Sequence, residues 1–277
     1  MEKKKIYPVL IMKYVFLIVT MLIMLYPIYM VVTNSFKTEA ELYSNVLGLP
    51  AHWNLDNYTD AITDGNLVKA LLNSIIIAGG SVGLVTVLGS MAAFVMTKIF
   101  GKIKSILYWI FVAGIMIPYQ VGLNQLYNIV KGFGLLDTHL GLIFIFTAWC
   151  LPFTVFVMYG SFSMIPREIE EAAKLDGCSV VGLYARIVMP LSASVITATI
   201  IYNLVTVWND MMFPMIFIDS KALKPLSTAL LAFQGQFTSR YTVMFAGVVL
   251  SSLPIIVVYL LLQKKFVEGM LVGSVKG

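Results

Sequence analysis

The chain predicts an all-α, polytopic membrane protein with six transmembrane helices and one cytoplasmic helix-turn-helix loop. Two observations carry that prediction. Hydrophobic residues fill 59% of the 277 positions and charged residues 12%, with a mean hydropathy of +0.89, far more apolar than a soluble domain of this length. The apolar residues also come in runs long enough to cross a bilayer, which takes about 20 residues at about 1.5 Å of rise each. A transmembrane β-barrel needs stretches of about ten residues that alternate in and out, whereas these runs are apolar on every side. One membrane domain over 1–277 is the expectation.

The runs lie at about Tyr14–Val32, Ser74–Thr97, Ile103–Leu123, Leu140–Ser163, Leu191–Ile218 and Val243–Leu262. The first exceeds a signal-peptide core, and Thr33-Asn34-Ser35-Phe36-Lys37 after it lacks a small-x-small cleavage pattern. It reads as an uncleaved anchor. Asn34 to Asn73, with Glu39, Glu41, Asp56, Asp60 and Asp64 beside Trp53 and Tyr58, has the makings of a small ordered cap at the membrane surface. Contact with an extracytoplasmic partner and a plain interfacial loop anchored by its aromatics both remain open for it. Gly79, Gly80, Gly83 and Gly89 in the second run point to close helix packing. Pro27, Pro118, Pro152, Pro214 and Pro254 mark places where a helix kinks or breaks.

Six crossings put both termini on one side. Thirteen of the nineteen basic residues fall there: Lys3, Lys4, Lys5, Lys13, Lys98, Lys102, Lys104, Arg167, Lys174, Arg186, Lys264, Lys265 and Lys276. The positive-inside rule makes that side the cytoplasm. The net charge of +5 then expresses orientation and contact with anionic membrane lipid. No basic and aromatic cluster suited to nucleic acid occurs.

Several chemistries lack their residues. Cys150 falls inside the fourth run and Cys178 in the loop, so no disulfide is expected. His52 and His139 have no second ligand at i+3 or i+4, so no metal site is expected. There is no Gly-x-Ser-x-Gly elbow, no carboxylate pair on an apolar face and no phosphate-binding Gly-x4-Gly-Lys loop, since Gly101-Lys102 is followed by Ile103 and preceded at the fifth position by Met96. The expectation is a non-catalytic chain that binds no cofactor.

The loop between the fourth and fifth runs is the most informative segment. Pro166 suits the first position of a helix, Glu168, Glu170 and Glu171 favour its positive end, and Gly177 closes it in the left-handed conformation. A helix of about three turns follows. Val180 to Ile187 predicts a second short helix, and Pro190 begins the next span. Ala172 and Ala173 beside Glu171 make a small, smooth surface suited to a cleft on another protein. A plain amphipathic linker is the competing interpretation.

The pattern Glu171-Ala172-Ala173-x3-Gly177-x9-Ile187-x-Met189-Pro190 resembles the EAA loop of inner-membrane permease subunits of binding-protein-dependent ABC importers, with Met189 where Leu is usual. Ile165-Pro166, Leu175-Asp176-Gly177, Trp208-Asn209-Asp210 and the tail from Phe266 to Gly277 resemble the carbohydrate-uptake branch, in particular its smaller maltose-permease-like subunit. The resemblance spans nearly the whole chain and implies an ABC importer permease fold of type I. By that resemblance Pro166–Asp176 is a coupling helix docked in an ATPase subunit, with Glu170, Glu171, Ala172, Ala173, Asp176, Gly177 and Pro190 as coupling residues. The resemblance likewise implies that Glu268, Gly269, Gly273, Lys276 and Gly277 in the tail contact the ATPase pair. It also implies a second homologous permease, two ATPase subunits that use ATP and Mg, an extracytoplasmic solute-binding protein, and residence in the cytoplasmic (inner) membrane. The cargo implied is a sugar or oligosaccharide, with a polyol or glycerol phosphate as the alternative.

Polar side chains in apolar spans nominate Tyr119, Gln120, Asn124, Asn203, Thr206, Trp208, Asn209 and Asp210 for a substrate pathway. Trp stacks on sugar rings, and amides satisfy hydroxyls in both senses. Interhelical hydrogen bonding competes at each, as does a water-facing helix end for Asp210. An ion-coupled secondary transporter would carry a membrane-embedded charge, which only Asp210 approaches, and no inverted repeat is present.

Overall fold

The computed structural model of the chain describes residues 8–99, 101–233 and 240–274. All regular structure among them is helical. Among the described residues four helices are long and apolar enough to cross a membrane: α1 (Pro8–Asn34) from Leu10 onward, α4 (Leu67–Lys98), α7 (His139–Phe162) and the stretch Tyr241–Leu261 of α14 (Tyr241–Ser274). Two bent pairs pass the same test together, which brings the number of possible crossings to six. Between α1 and α4 lie α2 (Glu39–Ser44) and α3 (Asp56–Asp64).

The third expected span is one of the bent pairs. α5 (Lys102–Met116) stops at Ile117, whose ψ of 118° is extended, and α6 (Leu123–Gly132) follows a 3-10 turn at Tyr119–Gly122, bent by 90° from α5. Pro118 is the cause, because its ring excludes the helical conformation from the residue before it.

The fifth expected span, Leu191–Ile218, is also interrupted. α8 (Arg167–Leu175) precedes α9 (Val180–Gly182), a π turn at Leu183–Val188 and α10 (Met189–Leu191). The segment Val180–Leu191 meets α11 (Ala193–Asn209) at 78°. Pro190 has no N–H to continue an i−4 ladder; the wider turn before it closes instead with the Met189 N–H on the Tyr184 carbonyl. At the far end Asp210 is extended, with ψ of 127°, and its carboxylate accepts the Phe213 N–H at 2.9 Å. That bond starts α12 (Met212–Phe217), a separate short helix instead of a continuation.

The chain groups into two compact units. The first combines the segment up to Leu67 with Leu230–Leu253. From Leu10 to Tyr29 every large apolar side chain of α1 is exposed, a surface that requires lipid or a partner. The Ser35–Asn66 segment is folded, not a loose loop. Fully buried Lys37 donates to the Asn45 carbonyl at 2.6 Å, and Asn57 donates to the carbonyls of Ser35 and Lys37, both at 2.8 Å. Glu39 accepts from the Thr242 N–H and hydroxyl, and Arg240 pairs with Asp60 and Asp64. The carboxylates, Asp64 foremost, hold the guanidinium above its usual pKa.

The second unit takes Val68–Ala229 and the chain from Pro254 onward. α7 is its central helix, packed on α5, α11 and α12. Leu142, Ile145, Phe146 and Cys150 of α7 form a core with Ile77, Ala78 and Val85 of α4 and Phe213 and Phe217 of α12. Polar residues staple the loops to this core. Asn73 donates to the carbonyls of Ala222 and Lys224, both at 3.0 Å, and the Ser74 hydroxyl accepts at 2.9 Å the N–H of Leu226, the first residue of the short helix α13 (Leu226–Ala229). Asp137 accepts the Ser220 hydroxyl and the N–H groups of Ser220 and Asp219. These bonds, the Ser220 hydroxyl first, hold the Asp137 carboxyl below its ordinary pKa.

Two outcomes follow for the second unit. A Cβ on Gly141 would stand 2.2 Å from the Leu135 carbonyl oxygen, whereas on Gly79 it would meet nothing within 4 Å. Thermal melts in detergent are expected to show Gly141→Ala losing about 1–3 kcal/mol and Gly79→Ala losing nothing. Because the folded pKa of Asp137 is depressed, its stabilisation is present above the unfolded carboxylate value of 3.8 and is lost as pH falls through the lower folded value. Asp137→Asn is expected to remove that acid dependence from melts taken between neutral pH and the acid limb.

Candidate functional site

The charged loop is built around α8. Pro166 is its N-cap (φ −58°, ψ 138°), one position earlier than expected, so the helix spans nine residues and begins at Arg167. Glu168 and Glu170 occupy the first turn and Lys174 the last, in keeping with the helix dipole. Gly177, with φ of +78°, closes it: its N–H bonds the Lys174 carbonyl at 3.0 Å and the Cys178 N–H bonds the Ala173 carbonyl at 2.9 Å. This pair of reversed bonds satisfies carbonyls that a helix end otherwise leaves open.

One face of α8 is tied down. Ala173 is buried in a cluster with Phe94 of α4, Met158 and Phe162 of α7, and Leu183, Val188 and Ile196. It does not share an outer surface with Ala172 as expected, because successive helical residues differ by about 100° in direction. Glu170 accepts a bond from Lys98 at 2.5 Å, in a pair whose side chains are only 16% and 30% exposed. Lys98 also lies 4.9 Å from the Phe94 ring centroid. The second arm reaches the same helix: the Tyr184 ring is 5.3 Å from that of Phe94, and its hydroxyl is 2.8 Å from that of Ser90. Both arms of the loop are therefore anchored on α4.

The other face is open. Glu171, Ala172, Lys174, Asp176 and Gly177 are exposed, and so is Pro190. Leu175 is 89% exposed, and Val180 and Val181 across the turn project as well. A cleft of about 370 Å³ lies beside α8, lined by Lys98, Lys104, Arg167, Glu170, Glu171 and Lys174 among others. The exposed apolar trio and the anchors Lys98, Ser90 and Tyr184 were not nominated from sequence. Leu175 is discernible there as an apolar residue between Lys174 and Asp176, but Lys98 stands 72 positions from Glu170 with no local signal linking them.

The polar residues nominated for a pathway differ in burial and in partners, with Tyr119, Trp208 and Phe213, which Asp210 caps, meeting at the same core. Tyr119 is half-buried at the Pro118 bend, its ring 5.0 Å from that of Trp149 and 4.8 Å from that of Phe213. Asn203 is fully buried and donates to the Thr154 hydroxyl at 2.8 Å, joining α11 to α7. Trp208 packs on the first core and borders a void of about 10 Å³, room for no more than one water. Thr206 is half-buried. Gln120, Asn124 and Asn209 are exposed, Asn209 bonding back to the Val205 carbonyl at 3.0 Å. Asp210 serves as the cap described above. In the tail, Glu268, Gly269 and Gly273 fall on the continuation of α14, while Lys276 and Gly277 lie outside the described residues.

Residues 85–272 match the family described as "Binding-protein-dependent transport system inner membrane component". A probable starch degradation products transport system permease protein of Thermoanaerobacterium thermosulfurigenes is 33% identical over 261 residues, covering 94% of each chain. A diacetylchitobiose uptake system permease protein of Streptomyces coelicolor is 30% identical over 260 residues, covering 93% of this chain and 86% of that one. A chain in the crystal structure of a bacterial ABC transporter involved in import of the acidic polysaccharide alginate superposes with a TM-score of 0.84 at 21% identity, covering 96% of this chain and 99% of that chain. That likeness extends to the fold.

The Lys98–Glu170 pair is expected to hold α8 against α4. Glu170→Gln should speed amide exchange in residues 167–175 by roughly fivefold, and a double-mutant cycle with Lys98→Met should give a coupling of about 1 kcal/mol. Exchange unchanged by either substitution would refute the anchoring role.

Proposed function

The chain belongs to the family of binding-protein-dependent transport system inner membrane components, and from that membership we propose that it is the permease subunit of an ATP-driven importer that moves a sugar or oligosaccharide into the cytoplasm. Family membership supports dependence on an extracytoplasmic solute-binding protein. Relatives associated with starch products and diacetylchitobiose support a carbohydrate cargo. In this reading the chain is one membrane domain of six crossings, four by single helices and two by bent pairs, with both termini in the cytoplasm of an inner-membrane assembly. A second homologous permease completes the pore. Two ATPase subunits, using ATP and Mg, supply the energy, and this chain contributes no catalytic residue.

The observation that carries the mechanism is the two-sided α8. Its inner face is held by Ala173 and the Lys98–Glu170 pair, and its outer face offers Glu171 and Leu175. A partner that grips the outer face moves the helix as a body. The anchors on α4 and the connection through Val180–Leu191 to α11 pass that movement to the membrane helices. Alternating access follows if nucleotide binding to the ATPase pair favours one arrangement of these helices over the other. Near-complete switching requires a differential of about 5.5 kcal/mol.

Within this scheme Glu171, Ala172, Asp176 and Gly177 are the contact and turn residues, and Glu170, Ala173 and Pro190 position the helix. Glu268, Gly269, Gly273, Lys276 and Gly277 approach the ATPase pair through the tail. Tyr119, Gln120, Asn124, Asn203, Trp208, Asn209 and Asp210 are the substrate-pathway candidates. Tyr119 and Trp208 offer aromatic faces, and the exposed Gln120, Asn124 and Asn209 offer groups that a second permease would enclose.

The test compares wild type, Glu171→Lys and Leu175→Asp in cells carrying the intact system. Uptake of labelled oligosaccharides and polyols is measured together with retention of the ATPase on the same membranes. Loss of uptake and of ATPase retention in both variants is expected, with an oligosaccharide as the cargo lost. Unaltered uptake and retention would overturn the docking assignment, and transport of a polyol alone would move the cargo to that class.

A further inference from the structure

A groove of about 690 Å³ runs between the start of α5, the end of α7 and the start of α11. Its residues change character with depth. Lys104, Ser105 and Ser161 lie at one end, and Tyr108, Phe156 and Val157 lie one to two turns further along α5 and α7. From Ser161 back to Phe156 the groove follows α7 for about 7 Å at the helical rise. Met164 also borders the polar end, and beyond Lys104, Ser105 and Ser161 the wall is aromatic and apolar, the order of headgroup and then acyl chain in a bilayer leaflet.

The charge at the rim has one sign. Lys104 belongs to none of the ion pairs among the described residues and lies 5.4 Å over the Tyr159 ring. It also borders the neighbouring cleft, where Lys98 is paired with Glu170 and where Arg167 and Lys174 outnumber the remaining carboxylate, Glu171. Exposed Lys102 stands one half-turn away. A ligand that satisfies Lys104 is anionic, and one that fills the remaining groove is apolar. Tyr108 and Tyr159 pack against each other at 5.6 Å and Tyr108 against Phe156 at 6.1 Å, giving the groove a rigid aromatic wall.

We propose that this groove binds one anionic phospholipid, its phosphate held by Lys104 with the hydroxyls of Ser105 and Ser161, and its acyl chain laid along Tyr108, Phe156 and Val157. The site depends on the chain being in a membrane and not on the identity of the cargo. A bound lipid would brace α5 against α7 beside the α8 cleft, through the lysine that the two concavities share.

The test uses the full chain purified in detergent and examined by native mass spectrometry, with phosphatidylglycerol and phosphatidylcholine of matched acyl chains as probes. Wild type is expected to retain phosphatidylglycerol about fivefold better, the difference that one lysine near an anionic surface makes. Lys104→Gln should equalise the two lipids. Gly160 lines the groove, and a Cβ there meets no atom within 4 Å, so Gly160→Leu should fill the space and abolish retention of both lipids with the melting temperature unchanged. Equal retention of the two lipids by wild type, or retention by Gly160→Leu at the wild-type level, would overturn the proposal. Photoreactive phosphatidylglycerol in membranes holding the whole transporter should label α5 or α7 beside the groove; labelling absent there because a neighbouring subunit covers it would overturn it too.

Discussion

Backbone N–H and carbonyl groups find no water partner inside a bilayer, so each must be satisfied within the protein. That requirement governs where this chain is straight and where it breaks. Long apolar runs become uninterrupted helices, as in α4 and α7. Where the helix stops, another group takes over the freed backbone: the Asp210 carboxylate for Phe213, Asn73 and Ser74 for the 222–226 segment, and Asp137 for Asp219 and Ser220. The π turn before Pro190 is the same solution made with backbone alone. Asp210, a polar residue within the fifth expected span, is thereby engaged in ending one helix and starting the next.

The loop around α8 obeys a different constraint. A surface helix of nine residues is too short to be stable by its own hydrogen bonds, and here it is held by a buried alanine, a partly buried ion pair and a left-handed glycine closure. These anchors divide its residues by direction. Ala173 and Glu170 face the body of the second unit, and Glu171, Ala172 and Leu175 face away. In the proposed importer this division is what lets a short helix transmit displacement, since a segment loose on its inner face would absorb a push instead of passing it to α4.

Exposed apolar surface marks what the isolated chain leaves to its surroundings. α1 has no buried apolar face between Leu10 and Tyr29, and α5 exposes Ile103, Ile106, Trp109 and Ile110. Such surfaces are stable only against lipid or another subunit. Leu175, Val180 and Val181 differ from them in being exposed apolar side chains of a charged loop, beside exposed Glu171 and Lys174.

The helical class, the existence and rough extent of the long apolar segments, the two-helix character of the loop and its closure at Gly177 were all legible in the sequence, because each depends on hydrophobic runs or on local dihedral preference. The breaks at Pro118 and Asp210 were only partly so: a proline signals a possible interruption, but whether a helix bends or continues depends on what stands ready to satisfy the freed groups. Direction was not legible at all. Ala172 and Ala173 are identical in sequence terms but exposed and buried in the fold, Glu171 is exposed where Glu170 is partly buried, and no local signal pairs Asn203 with Thr154, 49 positions away. Composition and short-range pattern determined that this chain is a helical membrane protein with a charged, glycine-closed loop. Which face of that loop is anchored, and which polar groups serve the fold, was decided only when packing brought α4, α7 and α11 together, because those partners are separated by tens of residues and no local preference encodes their meeting.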